Sequence, residues 1–256
     1  MLMLKEVIME DHSEIEEVEC YDPSTEMYAI IPDQNAQENL LTLFKSNIIN
    51  SGISTLIQDG AYFDDEEGSL ILAADYDSIQ YAEQAADGNS TRRLASTGTK
   101  NMVAVRVIAN DASTTSSEVS IRDAWFGTNG DIINLKSQYE ACSFDKVKIN
   151  PANTQKVNNG AYTVTISRNV KQVSDNIVRT AVVDKAKTDL GELSQFDHVM
   201  LCLPPGTRGN WIAYAYVGHY LSVYNDKWCD YVSAQMHGKF NYHQQFQFES
   251  DLKSNL

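Results

Sequence analysis

Between Asn101 and Met236 the chain switches repeatedly between two apolar periodicities, and this alternation restricts its fold more than any other feature. NMVAVRVIAN (Asn101 to Asn110) sets Val103, Val105 and Val107 on one side, as a strand requires. SSEVSIRDAWFG (Ser116 to Gly127) opens with Ser and an acidic residue and closes on Gly, the pattern of a short helix. YTVTIS, from Tyr162, returns to period two. SDNIVRTAVVDKAKTDLG places Ile177, Ala181, Val182, Ala186 and Leu190 on one helical face, with Ser174 or Asp175 as N-cap and Gly191 at the end. HVMLCLPPG reads as a buried strand closed by a double proline, and GNWIAYAYVGHYLSVYN as a further strand with alternating aromatics. A helix is expected from Asp226, carrying Trp228, Cys229, Val232 and Met236. The expected fold class is therefore α/β (α+β), with a mostly parallel sheet of four or five strands and two helices before a third.

Charge divides the chain. Residues 1–93 hold 20 acidic and 4 basic side chains, a net of -16, whereas residues 94–256 hold 15 and 16, a net of +1. The acidic part has structural signals of its own: TEMYAIIP reads as a strand ended by Pro32, QNAQENLLTLFKSNIINSG as a helix stopped by Gly52, and SLILAADYDSIQY as a strand or a strand with a turn. It is expected to form a small α+β unit. Its charge would repel phosphate backbones, which argues against nucleic-acid binding. DDEEGSL, from Asp64, lacks the alternating spacing and turn glycine of a calcium loop and reads as a solvated loop.

DGNSTRRLASTGTKN, from Asp87 to Asn101, joins the two parts. It has the composition of an exposed linker and contains Arg92 and Arg93, a dibasic pair suited to a processing protease. Its coincidence with the charge boundary favours a propeptide cleavage site over a neutral linker. Asn89, in Asn-Ser-Thr, is an N-glycosylation acceptor if the chain is secreted.

Other motifs mostly exclude. At 43% hydrophobic and 21% charged residues the chain is globular in composition, with no apolar run long enough to span a bilayer, no membrane anchor and no visible signal peptide. GTNGD and GTRGN lack the flanking strand-to-helix spacing of a nucleotide site, and a Gly-x-Ser-x-Gly nucleophile turn is missing. Of the four cysteines, Cys20, Cys142, Cys202 and Cys229, none forms a CxxC pair. Buried free thiols are one reading, and a Cys202–Cys229 bridge in an oxidising compartment is the other. No recognisable motif surrounds Cys20 to make it a metal-capping prosegment thiolate. His12 sits among carboxylates, while His198 and His219 flank predicted strands, where hydrogen-bonded structural roles are expected.

FDHVMLCLPPGTRGNWIAYAYVGHYLSVYNDKWCDYVSAQMH, Phe196 to His237, resembles the gametolysin family of zinc metallopeptidases, metzincin-type enzymes that cleave extracellular-matrix or cell-wall proteins. The Leu-Pro-Pro-Gly turn, the aromatic strand, the Trp-Cys pair and the Ser-Ala-Gln-Met-His approach carry the likeness, which extends more weakly back to Met102. The resemblance implies that residues 1–93 are a propeptide-like segment, that residues 94–256 are a metallopeptidase domain truncated at its zinc-binding helix, and that the protein is secreted. It also implies zinc bound by His-Glu-x-x-His, whose imidazoles at i and i+4 share one helical face beside a glutamate base. Matched residue by residue, His237 stands at the first ligand, Gly238 at the base and Asn241 at the second ligand. His243 lies about 600° further round a helix than His237, away from the same face. The expectation is a relative of secreted zinc endopeptidases, with protein partners, that has lost most of its zinc site and its activity. The alternatives are a non-catalytic binding or inhibitory protein, acting on a protein substrate or an intact homologous peptidase, and a truncated gene product.

Overall fold

The computed structural model describes residues 1–58, 60–64, 69–72, 80–83 and 97–231. The elements run β1 (Leu2–Met9), β2 (Glu14–Asp22), β3 (Met27–Ile30), α1 (Gln34–Lys45), β4 (Ser54–Ile57), β5 (Tyr62–Asp64), β6 (Ser69–Ile71) and β7 (Gln80–Glu83). After the 84–96 span come β8 (Gly98–Ile108), α2 (Glu118–Phe126), α3 (Leu135–Cys142), β9 (Val147–Pro151), β10 (Ala161–Thr165), α4 (Asp175–Leu190), β11 (His198–Leu203), β12 (Trp211–Tyr216) and β13 (Leu221–Asn225).

The mostly parallel sheet of four or five strands is corrected to a mixed sheet of eleven among the described residues. Its order is β10-β8-β11-β13-β12-β1-β2-β3-β6-β5, with β9 also beside β8. Strand β8 is long enough to take two parallel neighbours on one edge, β9 along Gly98–Met102 and β10 along Ala104–Ile108. Strands β11 and β13 continue the parallel set, and β12 turns back antiparallel to β13. The sheet is larger than expected because β1 pairs antiparallel with β12 and brings β2, β3, β6 and β5 with it. Strands β4 and β7 form a separate antiparallel pair.

Period two along β8 decides which helix covers which face. Val103, Val105 and Val107 join a core with Val178, Val182 and Ala186 of α4. Met102 and Ala104 point the other way, into a core with Ile121 and Trp125 of α2 and Leu135 of α3. A third cluster sets Ala36 and Leu40 of α1 against Leu2, Val18 and Ile31.

Local signals explain the helix ends. Ser117 caps α2 by accepting from the Ser120 N–H, and Gly127 closes it in the left-handed region. Helix α3, which apolar periodicity does not announce, begins with a reciprocal capping box between Asn134 and Ser137. Three helices therefore lie between β8 and β11. Helix α4 begins after Ser174 and ends at Gly191 as expected, but its buried face is rotated. Val178, Arg179, Val182, Val183 and Ala186 are buried, whereas Ile177, Ala181 and Leu190 are half-buried. Arg179, on that face, makes a buried ion pair with Glu19.

Candidate functional site

The chain approaching His237 is held at several points. A 3-10 turn at Asp226–Trp228 follows β13, and the described chain continues to Tyr231. The Asp226 carboxylate accepts from the Thr115 backbone N–H at 2.7 Å and from its hydroxyl at 2.9 Å. Ser120 donates to Asp230 at 2.7 Å, and the Trp125 indole N–H donates to the Cys229 carbonyl at 2.8 Å. Behind this contact Arg106 donates to the carbonyls of Ser116 and Thr114, and the Thr114 hydroxyl donates to the Cys202 carbonyl at 2.6 Å. The α2 start, strands β8 and β11 and the segment after β13 are thus cross-linked by polar contacts.

His237, Gly238, Asn241 and His243 lie outside the described residues, as do Arg92, Arg93 and Asn89, so the expected helix is described only as far as its approach. The cysteines Cys202 and Cys229 are both buried free thiols, and a hydrogen bond between them helps to raise the Cys229 pKa. Burial is the larger cause, and it pushes that thiol well above its ordinary range. The structure therefore places together the two thiols considered as a bridge. Cys20, on β2, is held up at about 11 by burial, which opposes the thiolate a metal cap requires.

The two buried histidines have structural partners. His198 Nε2 lies 3.0 Å from the Ser222 hydroxyl, and burial lowers its pKa to about 4. His219 Nδ1 lies 3.0 Å from the Tyr28 hydroxyl, and its pKa is lowered to about 3, chiefly by burial. His12 is exposed in the turn after β1. Among the described residues no three His, Cys, Asp or Glu side chains are grouped to hold a metal.

Sequence reasoning missed a cluster of buried, charged groups with shifted ionisation. Glu19 of β2 is 1% exposed and sits between Lys5 of β1 and Arg179 of α4. Burial raises its pKa, but Arg179 and Lys5 outweigh that and hold it at about 2. Burial likewise opposes the Lys5 charge, and Glu19 and Asp175 overcome it. No local pattern marks Glu19, which lies in the acidic run EIEEVE.

The described residues form a mixed α+β domain whose chain is held by polar contacts as far as Tyr231. The family described as Gametolysin peptidase M11 matches residues 102–245, more than half of the 256-residue chain and a span that includes His237, Gly238 and Asn241. The chain belongs to this family, one of zinc metallopeptidases. No curated protein and no solved structure matches it. Among the described residues no helix is long and apolar enough to cross a membrane.

Proposed function

We propose that this chain is a secreted member of the gametolysin peptidases that acts by binding a protein and does not hydrolyse one. The observation that carries this reading is Met-His-Gly-Lys-Phe-Asn at 236–241, inside the family-matched span. Gly238 has no side chain to take a proton from water, and the neutral Asn241 amide is a poor zinc ligand beside an imidazole. The donor set does not fit a catalytic zinc, and no hydrolytic step follows from it. His237 is the inherited metal-ligand position.

The partner classes are an extracellular-matrix or cell-wall protein of the kind the family cleaves and an intact homologous peptidase. Arg92–Arg93 serves as a processing site and Asn89 as a glycosylation acceptor, both consistent with the charge boundary and with secretion. The purified chain, assayed with added zinc against a protein substrate, is expected to show no chelator-sensitive turnover above background. Association with an intact relative or a matrix protein at micromolar concentration is expected in pull-down or inhibition measurements. Chelator-sensitive hydrolysis would overturn the non-catalytic reading, and failure to bind either partner class would overturn the binding reading.

A further inference from the structure

Residues 1–58 reach the family-matched span mainly through β1, with further contacts from β3 and from the Glu19 side chain of β2. Strand β1 pairs with β12 from Lys5 opposite Tyr216 to Met9 opposite Trp211, with an irregularity at Ile8/Met9. The pairing is extended at both ends, where the Val217 N–H donates to the Leu4 carbonyl at 2.9 Å and the Glu10 N–H donates to the Asn210 carbonyl at 2.8 Å. Without β1, strand β12 would be an open antiparallel edge with unpaired backbone groups.

Charge anchors the same contact. Arg179 of α4 is fully buried, and its Nη2 lies 3.0 Å from Glu19 Oε2. The Tyr216 hydroxyl donates to Glu19 Oε2 at 2.8 Å, and Lys5 Nζ lies 2.9 Å from Glu19 Oε1. Aromatic packing surrounds the ions: Tyr28 of β3 stacks on Tyr216 with ring centroids 4.6 Å apart, and the Arg179 guanidinium lies 4.8 Å from the Tyr28 ring centroid. A second anchor is Glu26, 2% exposed, which accepts from the backbone N–H groups of Leu193 and Ser194. A buried guanidinium that loses its carboxylate partner is left as an uncompensated charge, which is strongly unfavourable.

We propose that the N-terminal unit is a strand-complementing ligand of the family domain: with the chain cut between Glu83 and Gly98, the two pieces remain a tight non-covalent complex. The docking site is the β12 edge together with Arg179, and its occupant is the β1–β2 pair, whose Glu19 carboxylate enters the buried cationic pocket. Cleavage at the linker is then not sufficient to expose β12, and an extended chain from another protein pairs with that edge only by displacing β1. This holds independently of whether the chain is processed naturally or hydrolyses anything.

The test uses the full chain with a recognition sequence for a highly specific protease inserted between Ser90 and Thr91. After complete cutting, both fragments are expected to co-elute in size exclusion at 10 µM and at 100 nM (concentrations on the order of those at which tight and weak association separate). Hydrogen exchange of the β12 amides is expected to match that of the uncut chain. In the cut protein, Glu19→Ala is expected to speed dissociation on dilution by about 100-fold or more, whereas Glu17→Ala at the half-exposed rim changes it by less than about 3-fold. Separate elution of wild-type fragments, or β12 amides exchanging as an open edge, overturns the proposal. Both of those readouts use the wild-type sequence on either side of the cut, so they stand even if Glu19→Ala does not fold.

Discussion

The Trp125 indole N–H donates to the Cys229 carbonyl at 2.8 Å, joining the middle of the family domain to the segment that leads toward His237. Trp125 is fully buried and meets Phe126 and Tyr224 edge to face. Trp125→Phe keeps a ring in the pocket but leaves the Cys229 carbonyl without its donor. A loss of about 2 kcal/mol is expected from the unsatisfied group and the smaller ring. Urea unfolding checks it, and an unchanged midpoint would show that the contact does not hold this segment.

Gly160 has φ +84°, and a Cβ added there would stand 2.3 Å from Phe126 Cε2 and 2.8 Å from Pro151 Cβ. Gly160→Ala therefore combines backbone strain with a collision at the close approach of α2 to the turn before β10. A destabilisation of about 3 kcal/mol is expected. Adding Phe126→Leu is expected to recover part of it, measured as a non-additive double-mutant cycle in denaturant.

The buried histidines set a pH dependence. His198 and His219 have folded values of about 4 and about 3, below the ordinary 6.5, so the unfolded chain takes up their protons first as pH falls. Their contribution is complete above about pH 6.5 and declines on acidification toward those folded values, each by up to about 1.4 kcal/mol per pH unit. Glu19, with a folded value of about 2 against 4.5, adds a further loss only below pH 4.5. Urea midpoints between pH 7 and pH 4.5 are expected to fall, and His198→Asn is expected to flatten the slope. A flat profile would mean that the histidines titrate alike in the folded and unfolded protein.

The pair Cys202 and Cys229 is expected to resist iodoacetamide at pH 8 in the native protein and to react fully in guanidinium. Both thiols are buried, and Cys229 is held protonated above the ordinary range. Mass spectrometry of the alkylated protein distinguishes this from rapid native labelling.

Much of the domain after Gly98 is legible because its signals are short-range. The valines of β8, the Ser117 and Gly127 ends of α2, and the fully buried run of β11 each follow from a few neighbouring residues. Helix α3 was missed because its signal is a capping box, Asn134 with Ser137, without a strong apolar stripe. Strands β1 and β2 were missed for a different reason. LMLKEVIM and EIEEVECYD interleave apolar residues with charges that in most chains face water, so neither alternates cleanly.

The sequence by itself carried the likeness to the family and the local starts and stops of the elements around β8. These depend on residue identity and short-range geometry. Only the tertiary structure decided that the acidic segment joins the same sheet and that Lys5, Glu19 and Arg179 lie inside it. A charged side chain can be buried only where its partner is, and the partners Glu19 and Arg179 are 160 residues apart. No local pattern encodes that meeting. It exists only once β1 has paired with β12 and α4 has packed over them.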